Sequence, residues 1–376
     1  MDTSDPNIIF NDDGNCNHCS QYQRRRFKEL PDEDEQKKIL DKTVEQLRMA
    51  GKGREYDCIV GLSGGVDSSY VAYLTAKLGL RPLAVHLDNG WNTELSIKNI
   101  ENIVSKLNIP LFTHVLDWEM FREIQRSFFK ASVPNCEMPT DHAIMAVLFQ
   151  LANKYGIKYI ISGSNLASEG ITVPTAWGRD YRDLKHLKAI TNRFGECKLK
   201  GFPTLSFSQL MYRVFVNGIR FIPILNYVPY VKEDAISELK DELNWREYGR
   251  KHGESVFTRF FQEYYLPEKF GYDKRRLHFS VLINSGQMTR EEAILNLKET
   301  MFKDRELSET LDFVRKKLMF STSEWEEIMN APPVDHLIYP TNYVFTIRDH
   351  PAAQFVRKMA TGRGVMNSSK STTTKK

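Results

Sequence analysis

The residues Ser63-Gly64-Gly65-Val66-Asp67-Ser68-Ser69 follow directly on the apolar run Cys58-Ile59-Val60-Gly61-Leu62 and precede a helical stretch from Tyr70 to Leu78. These are the residue types of an anion cradle. A buried strand ending at Leu62 hands the chain to a turn where two glycines permit a sharp bend and close approach to a ligand. The helix behind that turn starts with N–H groups lacking partners of their own. Hydroxyls of Ser63, Ser68 and Ser69 add donors, and the helix dipole adds about 0.3–1 kcal/mol for each exposed negative charge. A pyrophosphate group suits such a site. The loop G-x-x-x-x-G-K-[ST] needs a lysine after its second glycine, and Val66 and Asp67 stand in that region, which argues against kinase or GTPase chemistry.

S-G-G-x-D-S-S resembles the PP-loop of the N-type ATP pyrophosphatases, the superfamily that contains GMP synthetase, asparagine synthetase, NAD synthetase and the tRNA thiolases. The resemblance implies ATP cleaved between its α and β phosphates, with Leu62, Ser63, Gly64, Gly65, Val66, Asp67, Ser68 and Ser69 holding the nucleotide. It further places Leu87 and Asp88, at the end of the second predicted strand, against the nucleoside. Gly163, Ser164 and Asn165, after the fourth, face the triphosphate. Asp67 is the candidate for orienting Mg²⁺ or phosphate, since Mg²⁺ prefers carboxylate, water and phosphate oxygens, and Ser63 joins it as a catalytic candidate. Met138-Pro139-Thr140-Asp141-His142 opens a helix running to Tyr155, with Thr140 or Asp141 as its cap. His142 in its first turn is a further catalytic candidate.

The elements that must position these groups alternate. Strand patterns at Asp57 to Leu62, Pro82 to Leu87, Leu111 to Leu116 and Lys158 to Ser162 are separated by helical patterns, which predicts an α/β fold: a parallel sheet with helices on both faces. In such sheets ligands bind beyond the carboxyl ends of the strands. An amphipathic helix is expected from Asp34 to Met49, ended by Gly51-Lys52-Gly53. Ahead of it, Cys16-Asn17-His18-Cys19 is half of a zinc knuckle. Cys16 and Cys19 are the candidate ligands, and no second C-x-x-C pair completes the four that tetrahedral zinc needs.

The 376 residues exceed one typical domain. Four segments are expected: a cysteine-containing segment at 1–30, the ATP-binding domain at 31–220, a mainly helical substrate or partner domain at 221–366, and a disordered Ser/Thr/Lys-rich tail at 367–376. A net charge of +4 is too small for this length to indicate nucleic acid by itself. No apolar stretch nears the roughly 20 residues that span a bilayer, the N-terminus lacks a signal-peptide pattern, and the five cysteines fit a reducing compartment. A cytoplasmic location is expected.

The stretch from Asn244 to Gln262, with Leu266 to Arg276, mixes charged and aromatic residues without a clean amphipathic period and reads as a binding surface. Lys251 and His252 in it are catalytic candidates. Arg259, Lys274, Arg275 and Arg276 are candidates for holding an anionic substrate or the departing pyrophosphate. Thr289-Arg290-Glu291-Glu292 and Ser323-Glu324-Trp325-Glu326 resemble capping boxes.

Together with P-T-D-H-A-I, I-S-G-S-N and S-G-Q-M-T-R-E-E, these stretches resemble the N-acetyl sugar amidotransferases of bacterial surface-polysaccharide synthesis, the lipopolysaccharide and pseudaminic-acid type, over about residues 7–300. The resemblance implies that ATP and ammonia convert the acetamido group of an activated sugar into an acetamidino group in O-antigen synthesis. It also implies ammonia from a separate glutaminase and cyclase-like pair; the sequence shows no glutaminase nucleophile turn of its own. No nucleic-acid partner and no membrane insertion are expected, and a homo-oligomer is left open. In most family members a C-x-x-C pair precedes a segment ending V-M-D-T. This chain begins Met1-Asp2-Thr3, so a misplaced start or truncated gene is expected, which leaves Cys16 and Cys19 without partners and zinc in question. A tRNA sulfurtransferase, which needs positioned cysteines and a basic RNA face, and a non-catalytic nucleotide-binding module are the alternatives.

Overall fold

The computed structural model describes residues 1–342 except Arg179, Cys197, Arg250, Lys251 and His252, together with Phe355. Lys251, His252 and the expected 367–376 tail therefore lie outside the described residues.

The chain opens with α1 (Asn17–Glu29) and α2 (Glu33–Gly51), then β1 (Cys58–Gly61), α3 (Val66–Lys77), β2 (Pro82–Asp88), α4 (Glu94–Leu107), β3 (Leu111–Val115), α5 (Trp118–Lys130), α6 (Met138–Lys154) and β4 (Tyr159–Ile161). Short helices α7 (Leu166–Glu169), α8 (Leu184–Phe194) and α9 (Phe207–Met211) lead to β5 (Arg220–Ile222) and α10 (Lys232–Leu243). Helices α11 (Val256–Phe260), α12 (Leu266–Phe270), α13 (Lys274–Ser285), α14 (Arg290–Lys298), α15 (Asp304–Lys317) and α16 (Thr322–Asn330) complete the described chain.

The strands form one parallel sheet in the order β3-β2-β1-β4-β5. The expected α/β fold and its four strands are present, and β5 is an addition. Its three residues carry too little pattern to stand out, and it lies across the boundary expected at 220. Successive side chains of β1 point to opposite faces, and both faces are covered. Cys58, Val60 and Leu62 pack with α2, α3, α4 and α10 on one side, and Ile59 packs with α6 on the other. The crossovers run first towards β2 and β3 and then return to β4, so the order reverses between β1 and β4. A crevice opens at the carboxyl ends of strands at such a switch point.

A third core holds the C-terminal helices. Trp91, Phe121, Phe128 and Phe129 from the sheet-bearing half pack with Phe257, Phe260, Phe261, Tyr265, Phe320 and Trp325. This narrows the reading of 244–276 as a binding surface: the aromatic residues from Phe257 onward are core, and the missing amphipathic period there reflects a helix buried on several sides. Thr289 and Glu292 form the expected capping box. The second box is made by Ser321 with Glu324, two residues before the expected serine. The cap of α6 is Glu137 without a side-chain bond, so neither Thr140 nor Asp141 caps it. No described helix is long and apolar enough to cross a membrane.

Candidate functional site

Leu62 continues the sheet by donating its N–H to Val85 O, and the backbone then turns through Gly64 at φ +84°. That left-handed conformation favours glycine. A Cβ there would also meet Ser96 O at 2.9 Å and Tyr248 Oη at 3.1 Å. The Gly64 carbonyl accepts from Trp245 Nε1 and from Tyr248 Oη, both at 2.9 Å. Turning that carbonyl back into the protein leaves the other side of the loop to N–H groups. Gly65 precedes α3 with no side-chain cap, so the first-turn amides of the helix are available to an anion. Ser63 Oγ and Ser68 Oγ lie 3.0 Å apart, and Ser68 Oγ also accepts from Ser63 N at 3.2 Å.

The loop opens on a cavity of about 390 Å³ lined by Ser63, Gly65, Val66, Asp67, Ser68, Ser162, Gly163 and Ser164, with Glu169, Lys232, Trp245, Glu247, Tyr248 and Glu254. Gly163 allows β4 to pass close to α3: a Cβ there would lie 3.3 Å from Asp67 Cβ and 3.4 Å from Ser68 N. Asp67 Oδ1 accepts from Tyr230 Oη at 2.5 Å and from Asn165 Nδ2 at 3.4 Å, which orients the carboxylate. Burial, and then the Asp67 charge, raises the pKa of Tyr230 well above the ordinary phenol value, so Tyr230 remains a donor. The described cavity lining carries Asp67, Glu169, Glu247 and Glu254 against one lysine, Lys232. An anionic polyphosphate entering this excess of carboxylates needs a cation with it. The donor set fits Mg²⁺, which binds through one or two carboxylates together with phosphate oxygens.

The structure thus gathers Ser63, Gly64, Gly65, Val66, Asp67, Ser68, Gly163 and Ser164 at one place, with Asn165 behind Asp67. It does not bring the others there. Ser69 is fully buried with its hydroxyl turned into the protein, because the fourth position of α3 faces the sheet, and Leu62 is core. Leu87 packs against the hydrophobic cores. Asp88 accepts from Gly90 N at 2.9 Å and Asn92 Nδ2 at 3.3 Å, stabilising the turn after β2 outside this cavity. His142 is completely buried. Its Nε2 accepts from Leu205 N–H at 3.1 Å, so its proton sits on Nδ1 and is donated to Tyr181 O at 2.7 Å. Burial lowers its pKa, and with both nitrogens committed His142 is structural, not catalytic.

Arg259 pairs with Glu263 at 3.2 Å and Glu306 at 2.6 Å and stacks over Phe302. Arg275 binds Asp273 at 2.8 Å and donates to Glu299 O at 2.9 Å, near the end of α14. Arg276 pairs with Asp2. These three are structural bonds between elements and do not line the cavity. Lys274 lies 3.7 Å from Glu137, likewise outside it. Cys16 and Cys19 have their sulfurs 3.5 Å apart, with Asn284 Nδ2 also 3.5 Å from Cys19. His18, between them in sequence, is bound to Asp5 at 2.6 Å. Among the described residues no group of three or more His, Cys, Asp or Glu is arranged to hold a metal. Two thiols do not make a zinc site, and the zinc expectation is not supported.

Tyr230, Glu169 and Lys232 escaped the sequence reading as site residues, and Trp245, Tyr248 and Glu254 lay in the stretch read as a binding surface without being singled out. Trp245 and Tyr248 stood inside the stretch assigned to a separate domain, and nothing in the local pattern of Tyr230 marks it.

Two family models match the chain: NAD synthase over residues 36–199, and LPS biosynthesis protein WbpG-like, C-terminal domain, over residues 254–350. Curated relatives include the tRNA-specific 2-thiouridylase MnmA of Pediococcus pentosaceus, 26% identical over 226 residues that cover 57% of this chain and 56% of that protein. The same enzyme of Flavobacterium johnsoniae is 30% identical over 135 residues, 31% of this chain and 34% of that protein. The chain therefore spans about half, or less, of the length of these relatives. Among solved structures, NMN synthetase from Francisella tularensis is 15% identical, with 77% of this chain and 98% of that one covered at a TM-score of 0.34. The NH3-dependent NAD synthetase from Campylobacter jejuni is 17% identical, with 56% and 93% covered at 0.29.

Proposed function

This chain joins an NAD synthase-type PP-loop domain to a WbpG-like C-terminal domain of lipopolysaccharide biosynthesis, and from that premise we propose that it is an ATP-dependent amidotransferase acting on an N-acetyl sugar. Its substrate is a nucleotide-linked or similarly activated sugar, and its product carries an acetamidino group where the acetamido group was. The observation that carries this reading is the loop itself. The Gly64 carbonyl is pinned by Trp245 and Tyr248, which leaves the uncapped first-turn amides of α3 to a cavity shared with Asp67 and Gly163.

The chemistry follows from what an amide lacks. Its oxygen is a poor leaving group, so it first attacks the α-phosphorus of ATP, pyrophosphate leaves, and an O-adenylyl imidate forms. Ammonia then adds to the imidate carbon and AMP departs. No protein nucleophile is required, and the acceleration comes from holding reactants in line and stabilising phosphate charge. The first-turn amides of α3 and the hydroxyls of Ser63 and Ser68 hold the phosphates. Asp67, oriented by Tyr230 and Asn165, would hold Mg²⁺ with the phosphates, and the ion would supply charge neutralisation.

Thiolation of tRNA, the activity named for the MnmA relatives, calls for a reactive thiol beside the nucleotide. Cys58 and Cys136 are fully buried with their pKa values raised by that burial, which makes them poor nucleophiles. Cys197 lies outside the described residues. The test is pyrophosphate release by the purified chain with N-acetylated sugar nucleotides and ammonium salts, followed by mass spectrometry of the product. Release with the mass change of oxygen replaced by NH is expected. Glutamine alone should not replace ammonium, because ammonia would come from a separate glutaminase partner. Release only with tRNA, or none with any N-acetyl sugar, overturns the assignment.

A further inference from the structure

The sheet ends on β3, and the outer side of that strand is an unfilled hydrogen-bonding ladder. In a parallel pair, alternate residues of a strand turn both backbone groups toward the neighbour. Ala84 N–H donates to Pro110 O and Leu116 N–H to Asp88 O, both at 2.9 Å, while Leu111, Thr113 and Val115 stand opposite Ala84, His86 and Asp88. The even-numbered residues of β3 therefore face β2, and the N–H and C=O groups of Leu111, Thr113 and Val115 point out of the sheet edge. Among the described residues no other element bonds them. The side chains of these three share one face and are exposed, Leu111 by 38% and Val115 by 66%.

An open edge invites pairing, and proteins block it with short strands, charges, proline or bulges. The opposite edge is blocked in this way: β5 has three residues and begins with Arg220. β3 reads Leu-Phe-Thr-His-Val and carries no Lys, Arg, Asp, Glu or Pro. Its outward row is also self-complementary. A twofold axis at Thr113 sets Thr113 opposite the same residue of a second copy and Leu111 opposite the second copy's Val115. Each outward N–H then meets an outward C=O, and the cross-strand contacts are Thr–Thr and Leu–Val, both favourable pairs. The same axis brings the junction of α4 with β3, where Lys106 is exposed, to the junction of β3 with α5 in the second copy, where Asp117 and Glu119 are exposed. Lys106 and Glu119 have no ion-pair partner among the described residues, so ends of opposite charge meet across the axis.

We propose that two copies of this chain associate through β3, antiparallel about a twofold axis at Thr113, so that one continuous sheet runs through the dimer. Strand direction reverses at the axis. The carboxyl ends of the two halves, and with them the two nucleotide cavities, therefore lie on opposite sides of the joined sheet, and each cavity keeps its own entrance. The assembly is closed, because pairing consumes β3 and the short, charged β5 offers no second edge. This inference does not depend on the reaction assigned to the cavity.

The test measures the mass of the full chain in solution by light scattering and sedimentation, over a concentration series reaching about 100 μM, for wild type, Thr113→Pro and Val115→Lys. The Thr113 N–H faces outward, so proline there removes a donor from the interface and none from the ladder with β2. Expected are a wild-type dimer and a dissociation constant at least tenfold higher in both variants, with MgATP affinity within twofold of wild type as the check on folding. Should Thr113→Pro fail that check, Val115→Lys decides alone. Register is read with a short bismaleimide. Thr113→Cys should link to its counterpart, about 5.5 Å away between Cα atoms, at least tenfold faster than Leu111→Cys, whose counterpart is displaced about 14 Å along the strand. A monomer at every concentration overturns the proposal and leaves the edge to a strand of another protein. A dimer that both variants leave unchanged, an assembly larger than a dimer, or equal linkage by the two cysteine variants overturns it as well.

Discussion

Asp141 and His142 are neighbours in sequence with opposite surroundings, and their protons act on stability in opposite directions. His142 is held neutral by burial and by the Leu205 and Tyr181 backbone groups. The unfolded chain binds a proton there that the folded chain refuses, so this contribution is complete above about pH 6.5 and is lost as pH falls through the lowered folded value. Asp141, raised to about 7, binds its proton more readily when folded, so its contribution is present at low pH and is lost as pH rises towards and through that value. His142→Ala should cost about 2–4 kcal/mol near neutral pH, because it strands a buried N–H and a buried carbonyl and leaves a cavity. Its catalytic pH profile should match wild type. Urea unfolding beside kinetics checks both, and a displaced kinetic pKa with unchanged stability would return His142 to the chemistry. Asp141→Asn, by contrast, should be more stable than wild type above pH 7 and equal to it near pH 3.

The loop that holds phosphate owes its shape to an element far along the chain. After α10 ends at a left-handed Asn244, Trp245 and Tyr248 fold back onto the Gly64 carbonyl. Asn99 of α4 fixes them by donating to Arg246 O at 2.8 Å and Tyr248 Oη at 3.1 Å. Tyr248→Phe removes one of two donors to one acceptor, a loss of about 0.5–1.5 kcal/mol. The expected outcome is a several-fold weaker MgATP affinity with kcat nearly unchanged, and the Trp245→Phe/Tyr248→Phe pair should be non-additive because both share that oxygen. Unaltered nucleotide affinity in the double variant would show that the clamp does not shape the loop. The phosphate loop was legible in the sequence because strand, glycines and helix are contiguous and their physics is local. The clamp was not, since a tryptophan 181 residues away from its partner leaves no periodic trace. For the same reason Ser69 read as a donor: only the rotation of α3 against the sheet turns it inward. His142 read as an acid–base group because the backbone atoms that occupy its nitrogens come from Tyr181 and Leu205.

At the scale of the molecule, the two family-matched parts are joined by a shared aromatic core. Trp91 stacks near Phe257 with centroids 5.2 Å apart, and Phe129 meets Tyr265 at 4.7 Å and Trp325 at 5.5 Å. Lys317, at the end of α15, lies over Trp91 and Trp118 at 4.8 and 5.0 Å and donates to the Gly90 carbonyl after β2. Each aromatic side chain buried here contributes about 150–250 Å² to a surface that neither part can cover alone. Lys274 and Gln262 meet Glu137 across the same junction, and a rigid core between the parts keeps them in register with it. Trp325→Ala removes a ring from the centre of that contact and should cost about 3–5 kcal/mol. Because the core is shared, calorimetry should show a single unfolding transition in wild type, and the variant should shift it as a whole instead of splitting it. A fragment ending at residue 253 would expose Trp91, Phe121, Phe128 and Phe129, and should bind hydrophobic dyes and aggregate. Two transitions in wild type, with only the upper or the lower displaced in Trp325→Ala, would mean that the parts fold independently and that the aromatic contact between them does not couple them.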